Sequence, residues 1–167
     1  MIVNIIVGPP CAGKSTHVIE SSDIGDVIID LDSLAVSLGS QDTHQSEGCI
    51  REMALMLRDQ AITKILEGID CDSWIIHTNP SSEKIDKYIE AGAMFTVLDP
   101  GEQECKDRAK SDGRPKGTDE AIEKWYEQPP KIPSQNLTNN IANKIKLMEA
   151  TLERFTKQLE EFIKPVQ

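Results

Sequence analysis

The chain is poor in aromatic residues, at 4% of its 167 positions, and this argues against a surface that stacks bases or sugar rings. It also lacks an excess of positive charge. Its net charge is −10, whereas a broad footprint for duplex nucleic acid normally recruits clustered Lys and Arg. No apolar run reaches 18 residues, and Ile2 to Val7 enters a Gly-Pro-Pro turn without a basic leader. Export and membrane insertion are therefore not expected. The four cysteines (Cys11, Cys49, Cys71 and Cys105) form no CxxC pair and have no His partners at zinc-ligand spacing. A chain this long does not need disulfide staples, so a reducing cytoplasm is the expected setting.

What is present fits one α/β core with an appendage. Ile2 to Val7 is a short apolar run, rich in β-branched residues and bounded by Gly8, which predicts a strand buried on both faces. Lys14 to Glu20 reads as the helix after it. Asp26 to Asp30 predicts a second strand that ends at the acidic pair Asp30 and Asp32. Gly48 to Glu67 carries Ile50, Met53, Ala54, Leu57, Ala61 and Ile65 at mostly helical spacing, which predicts a long amphipathic helix. Ser73 to His77 and Phe95 to Leu98 are further strands, and the helix between them is bracketed by a Ser81-Ser82-Glu83 start and a Gly92 stop. Alternating β and α elements with short connections predict a parallel sheet covered by helices, a three-layer architecture whose ligands sit beyond the carboxyl ends of the strands.

Residues 129–135 lie in a Pro-rich stretch read as a linker, closing a domain at residues 1–128. In residues 136–167, Ile141, Ile145, Met148, Leu152, Phe155, Leu159 and Phe162 recur at alternating steps of four and three. This is a heptad seam, and it predicts self-association into a homo-oligomer. The other reading is one amphipathic helix folded back on its own domain. Five basic and four acidic side chains fall in this tail, net +1, leaving about −11 for the remainder. An anionic ligand must therefore meet a focused site.

That site is written at residues 8–16: Gly8, Pro9, Pro10, Cys11, Ala12, Gly13, Lys14, Ser15 and Thr16. The run matches G-x-x-x-x-G-K-[ST], in which glycines let backbone amides approach phosphate oxygens at a helix N-terminus. Lys14 would reach the β- and γ-phosphates and the Ser15 hydroxyl would ligate Mg²⁺. ATP or GTP binding is the expectation. Cys11 reads as a small loop residue, with a redox role as the alternative.

With these residues in place, the chain resembles the phage-type polynucleotide kinases of the P-loop kinase group over residues 1–128. Four segments carry the resemblance: GPPCAGKST at Gly8 to Thr16, IIDLDSL around Asp32, IIHTNPS at Ile75 to Ser81, and CKDRAKSDGRPKG with the following helix ending at Trp125-Tyr126. The resemblance implies γ-phosphoryl transfer from ATP with Mg²⁺ to a hydroxyl, on a polynucleotide 5′ end or a nucleotide. It implies Asp32 as the base that takes the acceptor proton, with Asp30 second, and Asp32 beside Ser15 at the metal. As an alternative, Asp32 caps a helix beginning at Ser33. Arg108 and Arg114 match a lid that sets guanidinium groups against the transferring phosphoryl; the competing account is a solvated charged face.

Two positions depart from the family. His77 stands where the family has an acid after the third strand, and Ala35, Val36 and Ser37 occupy the neighbourhood of its acceptor-phosphate arginine. His77 reads as a packed strand-end residue or a proton-transfer group. Thr78 and Asn79 match the family's TN pair, which holds the acceptor or shapes the turn. Two other functions stay open: a small-metabolite or nucleoside monophosphate kinase, and a nucleotide-responsive assembly protein that oligomerises through its tail.

Overall fold

The computed structural model describes residues 2–42, 44, 46, 48–137, 145, 148, 149 and 151–157. Among them four parallel strands form one sheet: β1 (Val3–Val7), β2 (Val27–Ile29), β3 (Ser73–His77) and β4 (Met94–Val97), in the order β2-β3-β1-β4. Ile5 lies opposite Ile75 on one side and Phe95 on the other. Six helices connect or follow the strands: α1 (Lys14–Ser21), α2 (Leu31–Ser37), α3 (Gly48–Glu67), α4 (Ser82–Glu90), α5 (Glu102–Ser111) and α6 (Thr118–Glu127). This is the parallel α/β architecture expected from the alternation of periods.

Strand side chains alternate between two faces, and each face has its own cover. Ile5, Val7, Ile29, Ile75 and Phe95 meet Ile62 and Ile65 of α3 and Ile85 and Tyr88 of α4. Ile6 and Ile76 point the other way, onto Val18 of α1. Burying each such side chain contributes about 1.5–3 kcal/mol, which is why the central strands read as unbroken apolar runs. A third cluster joins Ala12 to Cys105, Ala109 and Ile122. The α5–α6 pair thus packs directly on the glycine-rich loop.

The strand order fixes the site. β1 and β3 are central neighbours and β2 flanks β3, so the carboxyl end of β3 lies between the loop after β1 and the acidic pair after β2. Beyond α6, Ile132 and Leu137 pack against the main core, and Leu137 bridges to Phe95. The Pro-rich stretch therefore runs along the domain.

Residues 151–157 are helical, and Arg154 reaches back to the domain: Nη1 to Asp72 Oδ2 at 2.6 Å and Nη2 to Asp23 Oδ2 at 3.3 Å. The seam residues Met148, Leu152 and Phe155 stay 71%, 69% and 61% exposed. Ile141, Leu159 and Phe162 of the seam lie outside the described residues. Among the described residues no helix is long and apolar enough to cross a membrane.

Candidate active site

The loop from Gly8 to Gly13 leaves β1 and feeds α1, the strand-turn-helix context its motif requires. Two residues carry the turn. Gly13 has φ +88°, and Cys11 at φ 62° is the one non-glycine with positive φ among the described residues. Backbone strain at this position is of the kind held at ligand-binding turns. Burial pushes the Cys11 thiol above its ordinary range, against the pull of Arg114, Lys14 and Arg108. A raised thiol is a poor nucleophile, which favours the loop-residue reading over the redox one.

Gly8 is needed for a different reason. A Cβ there would stand 2.4 Å from the Leu98 carbonyl oxygen, where Leu98 N–H also donates to Val7 at 2.8 Å. Neither backbone can yield without breaking that pairing. Gly8→Ala is expected to destabilise the fold by about 1–3 kcal/mol, as overpacking does. Chemical denaturation measures it, and an unchanged midpoint would contradict the clash.

Lys14 turns back over the loop, donating from Nζ to the carbonyls of Gly8 at 2.9 Å and Pro9 at 2.7 Å. Burial lowers its pKa to about 8, against the opposing effects of Cys11, Asp30, Cys105 and Asp32. The ammonium is thus part-desolvated and short of anionic partners, the state in which phosphate oxygens bind it best.

The acidic pair divides its work. Asp30 is the N-cap of α2, accepting from Asp32 N–H at 3.3 Å, and its Oδ2 also accepts from Ser33 Oγ at 3.2 Å and Ser15 Oγ at 3.4 Å. The helix begins at Leu31 and the cap is Asp30; Asp32 lies in the first turn, so it does not cap a helix starting at Ser33. Asp32 Oδ2 instead meets His44 Nδ1 at 3.3 Å. Ser15 and Asp30 make a pair of hard oxygen donors suited to Mg²⁺, which usually takes one or two carboxylates with phosphate and water oxygens. No cluster of three or more His, Cys, Asp or Glu side chains at metal-binding spacing occurs among the described residues.

The lid-like arginines differ in placement. Arg108 Nη1 lies 3.4 Å from the Cys11 carbonyl and 3.7 Å from where a Cβ on Gly13 would be, while its Nε donates to Glu104 at 2.8 Å. Arg114 has Nη2 3.6 Å from Asp112, and its buried Nε has no hydrogen-bond partner among the described residues. Both sit within electrostatic reach of Cys11. Trp125 Nε1 donates to the Thr78 carbonyl at 2.9 Å, and Tyr126 Oη donates to Asp99 at 2.6 Å. These bonds tie α6 to the carboxyl ends of β3 and β4.

His77 is 5% exposed, and its Nε2 is 2.6 Å from Tyr88 Oη. Burial, then the charges of Arg58 and Lys84, depress its pKa to about 3. It is a packed, neutral strand-end residue. Below pH 6.5 the unfolded chain protonates this imidazole and the folded chain does not until about pH 3. Stability therefore drops as pH is lowered across that window, by up to about 1.4 kcal/mol per unit. His77→Gln should flatten that slope in urea titrations between pH 4 and 6.5; equal slopes in both proteins would refute the account.

Arg58 is the residue that apolar counting passes over. Ala54, Ile62 and Ile65 are the buried residues of α3, and Arg58 falls four after the first and four before the second. A cation in line with an apolar stripe is the signal that could have found it.

No family model and no curated protein matches the chain. Among solved structures it is similar to the tunicamycin resistance protein of Deinococcus radiodurans (15% identity, 88% of this chain and 94% of that one, TM-score 0.49). It is also similar to deoxyadenosine kinase from M. mycoides with bound dATP (15% identity, 92% of this chain and 100% of that one, TM-score 0.40).

Proposed function

We propose that the chain is a phosphotransferase that moves the γ-phosphoryl of ATP to a hydroxyl, with a polynucleotide 5′ end or a nucleotide as acceptor and Mg²⁺ as cofactor. The observation that carries this is the glycine-rich loop between β1 and α1, with Lys14 over it and the Ser15–Asp30 pair beside it.

In this reading the loop amides and Lys14 hold the triphosphate, and Ser15 with Asp30 hold the metal, which supplies neutralising charge on the phosphate oxygens. Asp32 takes the proton of the acceptor hydroxyl as its oxygen bonds to the γ-phosphorus. The bond from that phosphorus to the bridging oxygen breaks, and ADP leaves with the electron pair. Arg108, on a helix packed against the loop, offsets charge on the transferring group. Arg114 is its second-line partner from the same lid, and the setting is cytoplasmic.

Labelled ATP with oligonucleotides, mononucleotides, nucleosides and sugars tests the reading. Label should move to a 5′ hydroxyl or a nucleotide, and transfer to small metabolites alone would replace it with the small-metabolite kinase. No transfer to any acceptor, with ATP binding intact, favours the assembly protein.

One observation bears on that last alternative and on oligomerisation. The seam residues Met148, Leu152 and Phe155 stay exposed, which supports a second copy packing on them, whereas the ties of Arg154 to Asp23 and Asp72 are what the folded-back reading expects. The full-length chain is expected to be oligomeric by solution mass, and Leu152→Lys to return it to the monomer. An unchanged mass in that variant would remove the seam from the account.

A further inference from the structure

We propose that His44 is a positioning residue for phosphoryl transfer, whose Nδ1–H holds one oxygen of Asp32 so that the other is left for the acceptor hydroxyl; this rests on the kinase reading above, in which Asp32 takes the acceptor's proton. The observation behind it is the 3.3 Å approach of His44 Nδ1 to Asp32 Oδ2, across 12 residues of chain.

The segment between α2 and α3 is bonded link by link toward that contact. Ser40 N–H donates to the Ala35 carbonyl of α2 at 2.9 Å, which fixes where the chain leaves the helix. Ser40 Oγ donates to the Asp42 carbonyl at 2.7 Å, and the Asp42 carboxylate accepts from His44 N–H at 2.8 Å. Local bonds of this kind between side chain and backbone set a turn. The imidazole at the end of the series then returns to Asp32, in the first turn of the helix the chain has just left.

Folding does not require the contact. The side chains of His44 and Asp32 are 35% and 50% exposed, so water can serve both, and exposed pairs contribute little to stability. What the bond supplies is direction. Asp30 is already held by Asp32 N–H, Ser33 and Ser15, whereas a half-exposed carboxylate on the surface of a helix turns among rotamers, and a base acts only from the one aimed at its proton. In its working form Asp32 is a carboxylate, which accepts and cannot donate, so His44 Nδ1 carries the hydrogen. A neutral ring protonated at Nδ1 and an imidazolium both offer that N–H, and the contact needs no change of charge at His44. Oδ2 is thereby occupied, and Oδ1 is left for the acceptor.

The test is single-turnover transfer from labelled ATP with Mg²⁺ by the full chain, to a 5′-hydroxyl oligodeoxyadenylate and to deoxyadenosine 3′-monophosphate. His44→Ala should slow transfer roughly 10-fold, the low end of what a bond to a charged group contributes because this one is half-exposed, with ATP affinity and the denaturation midpoint unchanged. His44→Asn should recover most of that loss, because its amide nitrogen is bonded to Cγ as Nδ1 is. His44→Gln, whose amide nitrogen lies one bond further out, should not. In an Asp32→Asn background His44→Ala should cost less than about twofold, since a residue that acts through Asp32 then has no base to direct. Wild-type transfer by His44→Ala, recovery by Gln as full as by Asn, or an undiminished loss in the Asp32→Asn background overturns the role of His44 and leaves the kinase reading standing. A loss that follows a lowered denaturation midpoint, with Asn no better than Ala, overturns it as well. No transfer by the wild-type chain to either probe overturns the kinase reading, and the role of His44 with it.

Discussion

Asp32→Asn is expected to lower phosphoryl transfer by roughly 10²- to 10⁴-fold, the span that positioned acid–base groups contribute, while leaving ATP affinity within about threefold. The carboxamide keeps the size of the side chain and can still meet His44 Nδ1, which lies 3.3 Å from Asp32 Oδ2. It cannot accept the acceptor's proton. Single-turnover transfer with saturating ATP separates this from a binding defect, because only the chemical step should slow. Asp30→Asn is the contrasting variant. Asn caps a helix as well as Asp does, so the start of α2 should survive, and the loss should appear as a raised Mg²⁺ requirement through the Ser15 contact. If Asp32→Asn transfers at the wild-type rate and Asp30→Asn stays slow even at saturating Mg²⁺, the base is Asp30.

Lys14→Ala is expected to weaken ATP binding by roughly 10²-fold or more, since charged hydrogen bonds are worth about 1.5–3 kcal/mol each and the Nζ lies directly over the loop carbonyls. A pH signature accompanies it. Burial sets the Lys14 pKa at about 8 in the free protein, and a triphosphate favours the ammonium. Above about pH 8 binding should take up a proton, and affinity should fall by up to about tenfold per pH unit. For stability the sign is opposite. Between pH 8 and 10.5 the unfolded chain holds a proton that the folded chain has lost, so folding stability gains up to about 1.4 kcal/mol per unit as pH rises. Lys14→Ala should abolish both slopes. Calorimetry in buffers of different ionisation enthalpy reads the first, and denaturation across that range reads the second.

The fold was legible where one period dominates. α3 and β3 run over the residues their patterns predict, and β4 begins one residue earlier, at Met94. The α2 start was not legible, because Asp30 and Asp32 are both good caps by type and only the backbone turn after Ile29 decides between them. The phosphate loop announced itself because each of its positions does one job. Ser15's neighbour did not: Asp30 and Ser15 are joined across the sheet's edge, and nothing local marks the pair. The tail was less legible. The heptad spacing there is an expectation, and the Arg154 ties to Asp23 and Asp72 span 131 and 82 residues and leave no trace in the pattern.

The central claim is that the turn after β1 holds a purine triphosphate through main-chain N–H groups, Lys14 and Mg²⁺. Isothermal titration of the folded full-length chain with ATP, and separately GTP, in the presence of Mg²⁺ tests it most directly. The account predicts a saturable heat for one nucleotide per chain that disappears in Lys14→Ala. A folded protein that gives no heat with either nucleotide would contradict it.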